Sequence, residues 1–130
     1  MKREKTVLLI DDDQLYCQLQ CIELEEMNLW DKIVCLESRE EALEYLSTSV
    51  QNNTMPELIF MDLNMASMST REFIDEIKRL SLETYSPRLI VTSALFNKEG
   101  VMELKSLGLE EMITKPITPE KINSLLSKIC

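Results

Sequence analysis

The chain has 130 residues, of which 45 % are apolar, enough for one domain with a single sizeable core. Fourteen Lys and Arg against 23 Asp and Glu give a formal charge of −9, and this negative balance disfavours direct binding to nucleic acid. Histidine is absent, which excludes His-containing catalytic triads, histidine metal ligands and a phosphohistidine formed on this chain.

Short apolar runs alternate with longer amphipathic stretches along the chain. The runs cover residues 7–10, 33–36, 58–61, 89–91 and 112–113. Continuous apolar runs without alternation are typical of strands that are covered on both faces, as in a parallel sheet. Because repeated strand–helix units need crossover connections, the sequence predicts an α/β fold with a parallel sheet between two layers of helices.

The stretches between the runs have the apolar periodicity of helices. Three stripes indicate the first, third and last helices: Leu15, Leu19 and Ile22; Phe73, Ile77 and Leu80; and Ile122, Leu125, Leu126 and Ile129. The polar residues 51–56 are expected to form a surface loop before the third strand. We expect one domain over residues 1–130.

Helix start signals agree with these stretches. Asp13 is expected to cap the first helix. Side chains with capping or capping-box spacing precede the later helices: Ser38 with Glu41, Ser69 with Glu72, Asn97, and Thr118 before Pro119. The boundaries of most helices are therefore predicted together with the helices themselves.

Neither a membrane segment nor a disulfide framework is indicated. No apolar stretch approaches the roughly 20 residues that cross a bilayer, and the first residues lack a signal-peptide core. The four cysteines, Cys17, Cys21, Cys35 and Cys130, have no CxxC spacing and are expected to be reduced thiols in packing roles. The sequence therefore predicts a soluble, cytoplasmic protein.

Polar side chains follow the apolar runs at the predicted strand ends. They are Asp11, Asp12 and Asp13 after the first run, Asp62 after the third, Thr92 and Ser93 after the fourth, and Lys115 and Pro116 after the fifth. In an open parallel sheet, ligands bind at the carboxyl ends of the strands. Clustered carboxylates repel one another unless a cation intervenes, and Mg²⁺ prefers oxygen ligands. With a lysine and a hydroxyl, such a set is suited to phosphoryl transfer, in which a carboxylate can be the nucleophile.

Four segments together resemble the receiver domain of two-component response regulators. They read Val-Leu-Leu-Ile-Asp-Asp-Asp (7–13), Ile-Phe-Met-Asp-Leu-Asn-Met (59–65), Ile-Val-Thr-Ser (90–93) and Thr-Lys-Pro (114–116), in the order of that family. The resemblance covers almost the whole chain. It implies a three-layer, doubly wound, flavodoxin-like fold with five helices and a five-stranded parallel sheet in the order 2-1-3-4-5. In that order the first and third strands are neighbours, which brings Asp11 and Asp12 against Asp62.

The resemblance also implies a role for each matching residue. Asp62 would accept a phosphoryl group from a phosphohistidine on a sensor histidine kinase or a phosphotransfer protein. Asp12 would bind Mg²⁺ directly, together with Asp62 and the backbone carbonyl of Asn64, whereas Asp11 would act mainly through coordinated water. The implied protein is a signalling phosphoprotein that catalyses only its own phosphorylation and dephosphorylation.

Two further roles concern the bound phosphoryl group and the output of the signal. Thr92 would donate a hydrogen bond to the phosphoryl group, and Lys115 would pair with one of its oxygens, with a cis Lys115–Pro116 bond holding the lysine backbone. In the family, contacts with downstream protein targets often use the region around the fourth and fifth helices, here 97–130.

The chain departs from the pattern of this family at two places. Met112 stands where many members have an aromatic switch residue, and the loop 65–70 lacks the usual proline and glycine.

Three other classes of protein are alternatives to a phosphorylated receiver. A pseudo-receiver would keep the fold as an interaction module without phosphorylation. A haloacid dehalogenase-type phosphatase would use Asp11 as the nucleophile, with Asp13 matching its motif. A dinucleotide-binding enzyme is disfavoured, because Gly100 and Gly108 are the only glycines.

Overall fold

The structure, a computed structural model, describes residues 5–65, 68–80 and 87–127. These residues form the strands β1 (Thr6–Ile10), β2 (Lys32–Leu36), β3 (Leu58–Asp62), β4 (Arg88–Ser93) and β5 (Met112–Thr114). They also form the helices α1 (Gln14–Glu26), α2 (Arg39–Asn52), α3 (Thr70–Leu80), α4 (Lys98–Ser106) and α5 (Pro119–Leu126). Neighbouring strands pair in parallel in the order β2-β1-β3-β4-β5. The predicted fold class, strand order and helix number are confirmed.

The sheet is covered on both faces, which explains the unbroken apolar runs. One face packs against α2, α3 and α4 through a cluster that includes Leu8, Ile59, Leu46, Phe73 and Leu104. The other face packs against α1 and α5 through a cluster that includes Leu9, Phe60, Leu24, Ile122 and Leu125. Every residue of β1 and β3 is buried, so these two central strands fix the position of whatever follows them at their carboxyl ends.

The first helix is present, but the expected apolar stripe does not face the core. Leu15, Leu19 and Ile22 are 66 %, 58 % and 53 % exposed, and the helix instead buries Cys17, Gln20 and Leu24. Both sets have helical spacing, and the more apolar set indicated the wrong face. A glutamine can occupy the buried face because both polar atoms of its amide have a partner: Gln20 donates to the Ile117 carbonyl at 2.8 Å and accepts from the Ile117 N–H at 3.0 Å.

The predicted caps are found at the helix starts, whereas one predicted loop is shorter than expected. Four side chains accept a hydrogen bond from a first-turn N–H as N-caps: Asp13, Ser38, Asn97 and Thr118. The Ser69 hydroxyl also accepts from the Glu72 N–H at 3.1 Å. The loop predicted at 51–56 begins only at Asn53, because α2 continues to Asn52 and ends where Asn53 adopts a left-handed conformation.

The remaining expectations concern the apolar stripes, the cysteines and the membrane. Phe73 and Ile77 of α3 and Ile122 and Leu125 of α5 are buried as predicted. Cys17, Cys21 and Cys35 are free thiols. Ile129 and Cys130, and residues 66 and 67 of the loop after β3, lie outside the described residues. Within the part of the chain that the structure describes, no helix has the length and apolar character needed to span a bilayer.

Candidate functional site

The sheet brings an acidic cluster and one lysine together at the carboxyl ends of its strands. Asp11 follows β1, Asp62 ends β3 beside β1, and Lys115 follows β5. The Lys115 Nζ atom lies 2.7 Å from Asp11 Oδ2 and 3.0 Å from Asp62 Oδ1. One carboxylate oxygen from each of Asp11, Asp12 and Asp62 lies within 4.8 Å of the others. The four charged residues that were predicted to meet do so.

The negative charge of this cluster is only partly neutralised. The side chains of Asp11 and Asp62 are almost fully buried, and that of Lys115 is 19 % exposed. Burial raises the pKa of the Asp62 carboxyl, and Asp11 and Asp12 add to this effect against the opposing hydrogen bond from Lys115. Burial alone would lower the pKa of Lys115, but its hydrogen bonds to Asp11 and Asp62 outweigh burial and raise it. The lysine therefore stays charged, and a further cation would relieve the repulsion that remains.

The three consecutive acids after β1 are not equivalent. Asp11 is held rigidly, because its Oδ1 accepts from the Asp13 N–H at 3.0 Å while its Oδ2 faces Lys115. Asp12 is exposed and reaches the cluster from the solvent side. Asp13 is turned away and caps α1 by accepting from the Tyr16 N–H at 3.0 Å. Asp11 and Asp12 thus belong to the site, whereas Asp13 belongs to the helix.

Two hydroxyls end β4 beside Asp62, and they differ in their partners. Thr92 is paired with Asp62 in the sheet register and is 1 % exposed, yet its Oγ1 has no hydrogen-bond partner among the described residues. Ser93 donates to the Leu95 carbonyl at 3.0 Å and accepts from the Asn64 amide at 3.3 Å. Because a buried hydroxyl without a partner is costly, Thr92 is a candidate donor to a ligand held next to Asp62.

The residues present fit a hard divalent cation. Three carboxylates offer oxygen ligands within a few ångströms, one of them from the solvent side, and a single ammonium balances only part of their charge. Mg²⁺ is commonly held by one or two carboxylates while keeping several waters. Asn64 is exposed two residues beyond Asp62, in the loop that borders this cluster.

Three residues that support the site were not predicted from the sequence. The Tyr16 ring lies under Lys115, with 4.3 Å from Nζ to the ring centroid, and burial raises the pKa of the Tyr16 phenol so that it stays protonated. The Gln20–Ile117 pair anchors the segment after the Lys115–Pro116 bond, which is cis. Arg39 is buried behind the loop that follows Asp62. No periodicity or motif marks such residues, because their contacts join elements far apart in sequence.

Comparisons with known proteins agree with this geometry. The family model of the response regulator receiver domain matches residues 7–127. The chain is 27 % identical over 119 residues to the phosphate regulon transcriptional regulatory protein PhoB of Escherichia coli, covering 91 % of this chain and 48 % of PhoB. It is 24 % identical over 122 residues to the chemotaxis protein CheY of Bacillus subtilis, covering 93 % and 94 % of the two chains. The chain thus spans about half the length of PhoB and nearly all of CheY.

A solved structure with the same fold is the receiver domain of the histidine kinase CKI1 from Arabidopsis thaliana, complexed with Mg²⁺. The TM-score is 0.83, with 22 % sequence identity, and the match covers 98 % of this chain and 93 % of that one. At this identity the similarity shows the fold. The family itself is shown by the family model, which spans most of the chain.

Proposed function

The chain belongs to the family of response regulator receiver domains, and we propose that it accepts a phosphoryl group on the Asp62 carboxylate. The observation that supports this most strongly is the position of Asp62, which ends β3 inside an acidic cluster and touches Lys115. Next to it, the buried Thr92 hydroxyl lacks a partner among the described residues. A nucleophile (Asp62), a cation (Lys115) and a hydrogen-bond donor (Thr92) are therefore available around the position of a phosphoryl group on Asp62.

The proposed reaction is an in-line phosphoryl transfer. An Asp62 oxygen attacks the phosphorus of a phosphohistidine, the P–N bond breaks, and its electron pair returns to the imidazole nitrogen of the donor. The Lys115 ammonium is placed to neutralise a phosphoryl oxygen, and Thr92 is placed to donate a hydrogen bond to another. Because these 130 residues contain no histidine, the phosphohistidine lies outside them, and we assign it to a sensor histidine kinase or a phosphotransfer protein.

We assign a magnesium ion to the same cluster. Asp12 and Asp62 would bind it directly with the backbone carbonyl of Asn64, and Asp11 would act through coordinated water. When bound, Mg²⁺ neutralises charge on the transferring phosphoryl oxygens. The excess of carboxylates over ammonium groups supports this assignment, and the similar CKI1 receiver domain is a protein complexed with Mg²⁺.

The exposed apolar side of α1 is the surface we assign to the phosphohistidine donor. Leu15, Leu19 and Ile22 are each more than half exposed on a helix that begins directly after the acidic residues. Transfer requires the donor histidine to come within bonding distance of Asp62, so the donor must cover the rim of this cluster. An apolar row at that rim provides contact area beside the reacting atoms. Met102, which is exposed on α4, lies in the region 97–130 expected for the downstream protein target, and the exposed Leu95 lies just before that region.

Intact-mass measurement after incubation with acetyl phosphate and Mg²⁺ tests the phosphoacceptor. We expect one phosphoryl group on the wild-type chain and none on Asp62→Asn, which keeps the side-chain volume but not the nucleophile. Asp13→Asn is the matched control, because asparagine also caps helices and this side chain lies outside the cluster. No Mg²⁺-dependent modification of the wild type would favour the pseudo-receiver, and an acyl phosphate on Asp11 would favour the phosphatase.

A phosphotransfer profile against candidate histidine kinases tests the donor surface. Leu19→Ser should slow transfer from the active phosphorylated donor by about tenfold, because apolar contact residues in interface centres contribute on this scale. Phosphorylation by acetyl phosphate should be unchanged. Met102→Ser is the control, since Met102 is exposed to a similar extent as Leu19 but lies on α4. If both variants slow transfer equally, or if neither slows it, α1 is not the donor surface.

A further inference from the structure

Arg39 is the largest fully buried side chain in the described part of the chain. It is the first residue of α2 and is only 2 % exposed. A buried charge is destabilising unless its hydrogen bonds are satisfied, so a guanidinium at such a position needs specific acceptors. The acceptors that it uses identify what it holds in place.

The guanidinium donates to three backbone carbonyls of the segment that begins with Asp62. Nη2 donates to the carbonyls of Asp62 at 3.0 Å and Leu63 at 3.2 Å, and Nη1 donates to that of Met68 at 2.6 Å. Two of these carbonyls precede Asn64 and one follows it. Arg39 therefore anchors the loop on both sides of the residue whose own carbonyl is assigned to Mg²⁺.

The loop needs such an anchor from outside. Its sequence from Met65 to Thr70 contains neither proline nor glycine, so no residue within it presets the backbone at a fixed or left-handed conformation. A rigid, planar guanidinium can hold several carbonyls at once, which a lysine ammonium on a flexible stem does not reproduce. The side chain of Asn64 adds a hydrogen bond to Ser93 at 3.3 Å.

We propose that Arg39 is a positioning residue that orients the loop after Asp62 so that the Asn64 carbonyl faces the Mg²⁺ site. This inference rests on the proposed function, since it assigns the guanidinium to the metal site described above. Its hydrogen bonds engage the carbonyls of Asp62, Leu63 and Met68, so these three oxygens point towards Arg39. The role is distinct from catalysis, because these hydrogen bonds of the guanidinium end on backbone carbonyls and not on the reacting carboxylate.

Titration calorimetry with MgCl₂ tests this role on the metal-free chain. Arg39→Met should weaken Mg²⁺ binding by about tenfold or more, the usual effect of removing a group that orients a metal ligand. Arg39→Lys should give an intermediate loss, because it keeps the charge but not the planar fork. Arg88→Met is the matched control: Arg88 is a partly buried arginine that also donates to a backbone carbonyl, that of Leu125, but it lies at the start of β4.

Hydrogen exchange of the Asn64 and Met65 amides provides a readout that does not depend on the metal. These amides should exchange faster in Arg39→Met than in the wild type, while Arg88→Met leaves them unchanged. If Arg39→Met does not fold, the Arg39→Lys comparison decides the question.

The outcomes separate this inference from the proposed function. If the wild type binds Mg²⁺ and the folded Arg39 variants bind it equally well, Arg39 only stabilises the fold and the inference is wrong. If the wild type itself binds no Mg²⁺, the metal assignment fails first and the positioning role fails with it.

Discussion

The strands β4 and β5 are flanked by charged groups at both ends, and the two ends are built differently. At their amino ends, Arg88 and Glu111 form a two-pronged pair in which both carboxylate oxygens accept from the guanidinium. At their carboxyl ends, the single ammonium of Lys115 faces Asp11 and Asp62, with Asp12 nearby. One end is a balanced pair, whereas the other has more negative groups than positive ones.

This difference in charge balance is accompanied by a difference in burial. The side chains of Arg88 and Glu111 are 22 % and 28 % exposed, so water shares in stabilising their charges. Asp11 and Asp62 are nearly inaccessible, so their repulsion is only weakly screened. The buried, unbalanced end is therefore the one that gains from an added cation.

Removal of one charged partner at each end of these strands should give the largest contrast in stability. In EDTA at neutral pH, Lys115→Met should lower the free energy of unfolding by about 3 kcal/mol, because it leaves two buried carboxylates without their partner. Glu111→Gln at the opposite end should cost about 1 kcal/mol or less, since that pair is partly hydrated. Urea unfolding measures both. Similar losses at the two ends would contradict the proposed difference.

Addition of Mg²⁺ should sharpen the same contrast by a smaller amount. At a free concentration one hundred times the Kd, a ligand that binds only the folded chain stabilises it by about 2.7 kcal/mol. Wild type and Glu111→Gln should show this gain in urea unfolding, whereas Asp12→Asn should show little of it. An equal gain in Asp12→Asn would place the ion elsewhere.

The smallest expected effect is a pH dependence of stability that arises only at the carboxyl ends of the strands. Burial, with Asp11 and Asp12, raises the pKa of Asp62 in the folded chain. The folded chain therefore binds a proton on Asp62 more tightly than the unfolded chain does. This binding adds to the free energy of unfolding: the contribution is fully present below the ordinary pKa of an aspartate and is lost as the pH rises through the raised pKa of Asp62.

Comparison of wild type with Asp62→Asn in EDTA measures this dependence. At neutral pH the asparagine variant should be the more stable, because it lacks the buried charge. The gap should close as the pH falls through the raised pKa of Asp62. A gap that stays constant with pH would show that Asp62 is not destabilised by its surroundings.

The first helix shows what a sequence pattern does not predict, namely which face of a helix is buried. Its hydrophobic periodicity predicted the helix but assigned Leu15, Leu19 and Ile22 to the core, which they do not enter. Period alone locates an apolar stripe and does not say what covers it. Gln20 became a core residue only because Ile117, 97 positions away, satisfies its amide.

The site was predictable to the extent that it lies at strand ends. Asp11, Asp62 and Lys115 directly follow or end buried strands, and a parallel sheet aligns those ends, so their convergence follows from the order of the elements. The supporting contacts of Tyr16 and Arg39 were not predictable. They depend on how α1 and α2 are oriented on the sheet, which no local pattern specifies.

The sequence by itself determined the alternation of strands and helices, the helix caps and the set of charged groups at the strand ends, because these depend on neighbours within a few residues. Only the tertiary structure decided which face of α1 is buried and that a buried guanidinium holds the loop after Asp62. The physical reason is that buried polar groups need partners, and those partners are brought into reach only when distant segments pack together.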